Sequence, residues 1–217
     1  MIALAPIMAP PMALPPLEPV LAAIDMAGVA VFAVSGALAA ARIKQTIVTF
    51  AFFAVITAIA GGTLRDLLIG APVFWVGRSD YLGICLAAAA AVWLLRADRW
   101  RLDALLWFDA VGLGAYSVLG ATKAMSLGVP ALPSVGMGVL TASFGGIVRD
   151  LLAGEPSVLL RREIYVSAAA LGAGTYVGLT LAGLAMWPAA IAGAAAGFGL
   201  RALAIATGLK LPGYRGD

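Results

Sequence analysis

Charged residues cut this chain into long apolar runs separated by short polar or Gly/Pro-rich joints. The runs span residues 20–41, 46–69, 81–95, 105–124, 135–152, 164–181 and 188–207. A helix crosses the hydrocarbon core of a bilayer with about 20 apolar residues, so the pattern predicts seven transmembrane helices. The stretch from Ile164 to Leu200 carries no charge and is too long for one span. Gly183 and Trp187-Pro188 supply a turn and an interfacial anchor where it divides. Trp75, Tyr81, Trp93 and Trp100 read as further anchors near span ends.

Composition supports lipid as the main solvent. Hydrophobic residues make up 63% of the 217 and charged residues only 12%. A soluble domain of this size has too little interior to hide that much apolar surface. The chain has no His and a single Cys, Cys85, inside an apolar run. That excludes a disulfide framework, a Cys/His metal site and a Ser–His or Cys–His nucleophile. No cofactor is expected, and an enzyme has the least support. A net charge of +3, thinly scattered, gives no case for nucleic acid. Residues 1–19 hold six of the twelve prolines and no basic residue, which predicts a flexible Pro/Ala-rich tail rather than a secretory signal.

Seven spans place successive loops on alternate sides. One side then holds Arg42, Lys44, Arg96, Arg99, Arg101, Arg149, Arg161, Arg162, Arg201, Lys210 and Arg215, and the other only Arg65, Arg78 and Lys123. By the positive-inside rule the N-terminus faces out and the C-terminus faces the cytoplasm of a cell (inner) membrane. Anionic lipid contact at the arginine clusters is a further expectation.

A repeat underlies the pattern. Gly61-Gly62-Thr63-Leu64-Arg65-Asp66-Leu67-Leu68 recurs 84 residues on as Gly145-Gly146-Ile147-Val148-Arg149-Asp150-Leu151-Leu152. At the same offset Gly70, Pro72, Arg78 and Tyr81 meet Gly154, Pro156, Arg162 and Tyr165. Ten of the 21 positions from Gly61 to Tyr81 are identical, where chance gives roughly one or two. Upstream, Asp25, Gly28, Val34, Gly36 and Ala37 meet Asp109, Gly112, Val118, Gly120 and Ala121 without a gap. Each unit holds three spans, an odd number, so the second enters the membrane from the opposite side. The predicted division is a tail (1–19), a first repeat (20–103), an inverted second repeat (104–182), a seventh helix (183–208) and a cytoplasmic tail (209–217).

The repeated motif concentrates unusual residues. Paired glycines within a span permit either an unwound, pathway-facing backbone or close helix packing. Charges within spans mark a path, a pair or a sensor. Adjacent residues on a helix point about 100° apart, so Arg65 and Asp66 are expected to face different partners. Matching depths predict two ion pairs, Asp25–Arg65 and Asp109–Arg149, one toward each mouth. Such pairs also serve simply to hold helices together. Asp66 and Asp150, left over, become candidates for contacting a cation. Lys123, whose repeat mate is Ala39, is either a snorkelling lysine or a pore-side charge that limits conduction or senses voltage. Gly174-x-x-x-Gly178 and Gly193-x-x-x-Gly197 suggest tight helix contacts within or between subunits.

The doubled Gly-Gly-x-x-Arg-Asp-Leu-Leu, each copy followed by Gly, Pro and a Tyr opening the next span, resembles the prokaryotic TRIC family of trimeric intracellular cation channels. The resemblance runs from about Asp25 through the sixth span. It implies a homotrimer with one pathway per subunit, permeable to potassium and less selectively to sodium, bordered by glycine-kinked second and fifth helices. Carried over, the pore or gating positions are Gly61, Gly62, Arg65, Asp66, Gly145, Gly146, Arg149 and Asp150. Lys123 is similar to a fourth-helix lysine that influences conduction in animal relatives. No acidic calcium-binding loop is visible.

The expected function is a passive cation channel, with potassium as the leading ion and membrane lipids as surroundings. The alternative is a carrier for a small neutral solute such as glycine, because inverted repeats suit carriers equally. The Thr-Val-Gly-Tyr-Gly filter of potassium channels is absent. A non-transporting scaffold leaves the symmetric charges unexplained. The inverted reading has a direct check: impermeant thiol reagents should label tags beside the Arg65-Asp66 and Arg149-Asp150 motifs from opposite compartments, and labelling of both from one compartment would remove the pathway.

Overall fold

A computed structural model describes residues 18–95, 102–157, 160, 162–212 and 214. The predicted N-terminal tail lies outside the described residues except for its last two positions, which begin the first helix. Arg96, Arg99, Trp100, Arg101, Arg161 and Arg215 also lie outside them, so their expected roles in topology or as anchors are not described.

The described residues form seven helices: α1 (Glu18–Arg42), α2 (Ile47–Leu68), α3 (Ser79–Leu94), α4 (Leu102–Ser126), α5 (Ala131–Leu152), α6 (Val166–Leu181) and α7 (Met186–Thr207). Each coincides with a predicted span. Five are long and apolar enough to cross a membrane; α3 and α6 are shorter apolar helices of 16 residues, or about 24 Å. Those two are the third helices of their repeats, so the shortening is itself duplicated.

Local signals explain where the central helices stop. Gly70 and Gly154 adopt φ of 66° and 71°, the left-handed region. The following amides, Ala71 and Glu155, then reach back to the carbonyls of Asp66 and Asp150. This closes both α2 and α5 with the same glycine cap, which fixes the level at which each Arg-Asp sits.

Packing shows the two units running in opposite senses. A Cβ on Gly61 would overlap the Thr141 carbonyl, and one on Gly145 would overlap the Thr57 carbonyl. On α1 and α4, Gly28 lies against the Tyr116 ring and Gly112 against the Phe32 ring. In each helix pair, rising numbers on one helix meet falling numbers on the other. Phe32 and Tyr116, themselves repeat mates, stack edge to face at 5.3 Å. The fold is therefore an all-α bundle of two inverted three-helix repeats, with α2 crossing α5 and α1 crossing α4 on one pseudo-twofold axis.

The seventh helix belongs to the second unit. Gly193 and Gly197 let α7 approach α6 at Gly172, and Gly114 lets it approach α4. The pair Gly174 and Gly178 behaves differently: among the described residues, no atom of another element lies within 4 Å of a Cβ placed there. Of the two small-residue motifs, the one on α7 lies against another helix among the described residues.

Both glycine pairs remain inside continuous α-helix. Of the two alternatives for the glycine pairs, the helices take close packing and their backbone stays wound. The first glycine of each pair serves the crossing, while the second makes room for an aromatic side chain, Phe74 at Gly62 and Tyr165 at Gly146. Close packing thus outweighs unwinding, because each lost Cβ is replaced at once by a neighbouring atom. Gly61→Ala or Gly145→Ala should lower stability by about 1–3 kcal/mol through overpacking. Gly83→Ala, where the added atom meets open space, should cost nothing; unfolding in mixed detergent micelles, followed by Trp fluorescence, distinguishes them.

Candidate functional site

The end of α5 holds a buried cation with four hydrogen bonds to side-chain oxygens. Arg149, only 2% exposed, uses Nε and Nη2 on Asp150 Oδ1 at 2.9 and 2.8 Å. Its Nη1 reaches across to Asp109 Oδ1 on α4 and to Ser35 Oγ on α1, both at 2.6 Å. One guanidinium thereby ties three helices together. A charge that cannot be shed must be paired when it leaves water, and here the fork geometry of arginine meets that demand.

The end of α2 starts from the same motif and is wired differently. Arg65 also turns back on its neighbour, with Nε and Nη2 both 2.8 Å from Asp66 Oδ1. Asp66, fully buried, receives the Lys123 ammonium from α4 on the same oxygen at 2.8 Å. Its other oxygen accepts the Phe74 backbone N–H at 3.0 Å, which straps the α2–α3 connection over the helix end. Trp75 Nε1 adds a bond to Thr63 Oγ1 at 2.9 Å.

Asp25 does not reach Arg65. Its carboxylate accepts from the Tyr81 hydroxyl at 2.6 Å and the Tyr116 hydroxyl at 3.1 Å. The predicted Asp25–Arg65 ion pair is therefore corrected: tyrosines on α3 and α4 occupy the carboxylate, and Arg65 is spent on Asp66. The predicted contact between Asp109 and Arg149 is present.

Two further expectations change. Arg65 and Asp66 do pair with each other, as do Arg149 and Asp150, because the long arginine stem sweeps round the helix further than its Cα–Cβ direction implies. Asp66 and Asp150 are consequently not spare carboxylates. Lys123 is bound to Asp66 rather than snorkelling alone. This bond joins the second repeat to the first.

Other contributing residues were not singled out from sequence. Tyr81 was read as an interface anchor, yet it is buried and bonded to Asp25. Its identity with Tyr165 across the repeat was the available signal. Ser35 and Tyr116 carried no signal, since their mates are Leu119 and Phe32. Arg201, read only as a topology determinant, is buried on α7, bonded to Glu163 Oε2 at 2.8 Å, and lies over the Tyr165 ring at 5.1 Å. Between the two arginine centres, at the α2–α5 crossing, Thr57 and Thr141 are buried hydroxyls; Thr57 Oγ1 has no hydrogen-bond partner. Among the described residues no His/Cys/Asp/Glu group is arranged to hold a metal ion.

Comparison with known proteins matches this architecture. A family model described as "Glycine transporter" fits residues 22–97 and again 106–181, two copies at the offset of the internal repeat. Over 152 residues the chain is 43% identical to a UPF0126 membrane protein of Vibrio cholerae, covering 69% of this chain and 64% of that one. It is 37% identical to the UPF0126 inner membrane protein YadS of Escherichia coli, covering 69% and 73%. Among solved structures, the TRIC trimeric intracellular cation channel orthologue from Rhodobacter sphaeroides superposes with a TM-score of 0.84 at 43% identity, over 88% of this chain and 99% of that one. A structure from work on conductance through TRIC cation channels superposes with a TM-score of 0.80 at 28% identity, over 90% and 98%.

The unequal wiring has a measurable consequence. Asp109→Asn strips a buried guanidinium of an ionic partner and should destabilise by about 3–5 kcal/mol. Asp25→Asn weakens charge-assisted hydroxyl bonds but leaves no buried cation unpaired, and should cost less, about 1.5–3 kcal/mol. Equal losses in parallel unfolding titrations would refute this description of the two centres.

Proposed function

This chain belongs to the prokaryotic TRIC family, and from that premise we propose that it is a channel for monovalent cations, potassium foremost. The observation that carries the reading is the likeness to the Rhodobacter sphaeroides cation channel orthologue over nearly its whole length. Each subunit of a homotrimer holds its own pathway between the two repeats, along the α2–α5 crossing. Buried hydroxyls at Thr57 and Thr141 and a charged centre at each end suit such a passage. The N-terminus lies outside and the C-terminus in the cytoplasm of the inner membrane, in keeping with the charge bias and with the inner-membrane relative.

In this reading Gly61, Gly62, Gly145 and Gly146 set the closeness of the two central helices, so they govern whether the passage opens. Arg65, Asp66, Arg149 and Asp150 close its ends as ion pairs. Lys123 holds the outer gate shut on Asp66 and contributes voltage sensitivity, since a charge crossing the full field gains about 2.3 kcal/mol per 100 mV.

A second reading, a carrier for glycine or a similar small neutral solute, is favoured by the description of the matching family model. Planar-bilayer recording separates the two. Unitary currents in symmetric potassium chloride are expected, whereas saturable, electrically silent uptake of labelled glycine into proteoliposomes would overturn the channel. Lys123→Met should raise the unitary potassium current about two- to fivefold at low salt, with a smaller gain at high salt, as expected for one charge near the mouth.

A further inference from the structure

The two arginine centres descend from one repeated sequence, yet they are found in different arrangements. In the second repeat the arginine takes the α4 carboxylate: Arg149 to Asp109 at 2.6 Å. The tyrosine of that repeat, Tyr165, is completely buried and faces Asp109, but among the described residues its hydroxyl makes no hydrogen bond of good geometry. In the first repeat the tyrosine takes the carboxylate: Tyr81 to Asp25 at 2.6 Å. There the arginine is confined to its neighbour Asp66.

The unpartnered hydroxyl lies close to its alternative acceptor. A Cβ built on Gly146 would sit 2.6 Å from Tyr165 Oη and 3.4 Å from Asp109 Oδ1. Hydroxyl and carboxylate therefore converge on the space that this glycine leaves open. A buried hydroxyl without a bond is unfavourable, and an orphan of this kind calls for an explanation.

We propose that each α4 or α1 carboxylate exchanges between the arginine and the tyrosine of its own repeat, and that the structure holds the two repeats at opposite ends of this exchange. In a second conformation Tyr165 donates to Asp109 while Arg65 reaches Asp25. Arg149 and Arg65 each keep the adjacent aspartate throughout, so only one arm of each guanidinium changes partner. The outer and inner centres then trade arrangements. Inverted repeats produce this kind of two-state relation naturally, because either half can adopt the conformation of the other.

The departures from the repeat set the resting bias. Tyr116 adds a second hydroxyl beside Asp25, shared between its backbone carbonyl at 2.9 Å and its carboxylate at 3.1 Å, whereas its mate Phe32 has none to offer Asp109. Ser35 accepts from Arg149, whereas its mate Leu119 cannot accept from Arg65. Lys123 adds a bond at Asp66, whereas its mate is Ala39. The first two differences favour the arrangement observed, and the third keeps Asp66 paired in either.

The exchange deepens the proposed channel reading by naming what its gate does, and its test separates the two. Removing one hydroxyl at symmetry-related positions should have effects of opposite sign. Tyr81→Phe and Ser35→Ala each delete a bond made only in the observed arrangement, and Tyr116→Phe removes the hydroxyl shared there between the carbonyl and carboxylate of Asp25. Tyr165→Phe deletes one made only in the other. Hydrogen–deuterium exchange of the purified protein, read at the amides closing α2 and α5, should quicken about three- to tenfold in the first three and slow in Tyr165→Phe. Open probability in bilayers should likewise shift in opposite directions. Opposite shifts in exchange without any current would uphold the exchange and refute the channel. Shifts of one sign in all four variants, or a Tyr165→Phe protein identical to wild type in exchange, would overturn the proposal; Ser35→Ala, the mildest change, guards against misfolding.

Discussion

Two guanidinium groups buried among apolar helices determine what the rest of this molecule must supply. Arginine stays charged in any protein environment, so each one needs acceptors at depth. The Arg-Asp dipeptide guarantees the first acceptor covalently: Asp66 and Asp150 are always one residue away. The remaining donors must be met by another helix or by the edge of a polar passage. At Arg149 that need brings Asp109 and Ser35 from two helices onto a third. The Arg149 end of the bundle is organised by that bond set more than by apolar contact, since lipid tails are as apolar as the helices themselves.

Small residues make this geometry possible. Backbone meets backbone at Gly61 and Gly145, which brings the two repeats close enough for Arg149 to reach Ser35 on α1 and for Lys123 to reach Asp66 on α2. Gly62 and Gly146 then leave space for the aromatic groups that close over each centre. With α7 packed against α4 and α6 through Gly114, Gly172, Gly193 and Gly197, the second repeat carries support that the first lacks. Geometric symmetry at the crossing thus coexists with unequal surroundings.

Much of the architecture was legible in sequence because the signals were long-ranged and redundant. Seven apolar runs, the charge bias and a gapless repeat all led to the helices observed. The pairing within the sites was harder to read. Depth matching found Asp109 with Arg149, whose partners share one level. It failed for Asp25 and Arg65, where Tyr81 and Tyr116 compete for the carboxylate and a hydroxyl leaves no charge pattern to detect. The direction of Cα–Cβ bonds also misled, because it ignores how far an arginine side chain can fold back. Tyr81 was misassigned because aromatic residues near span ends are commonly anchors; only its pairing with Tyr165 across the repeat distinguished it.

The bond between Lys123 and Asp66 carries a consequence for how such a molecule can be divided. Two copies of the first half alone could not rebuild the Asp66 centre, because alanine stands at position 39 where the second half has lysine. A symmetric assembly of identical halves would bury Asp66 with one cation fewer. The duplicated units have ceased to be interchangeable parts, and each is now completed by the other.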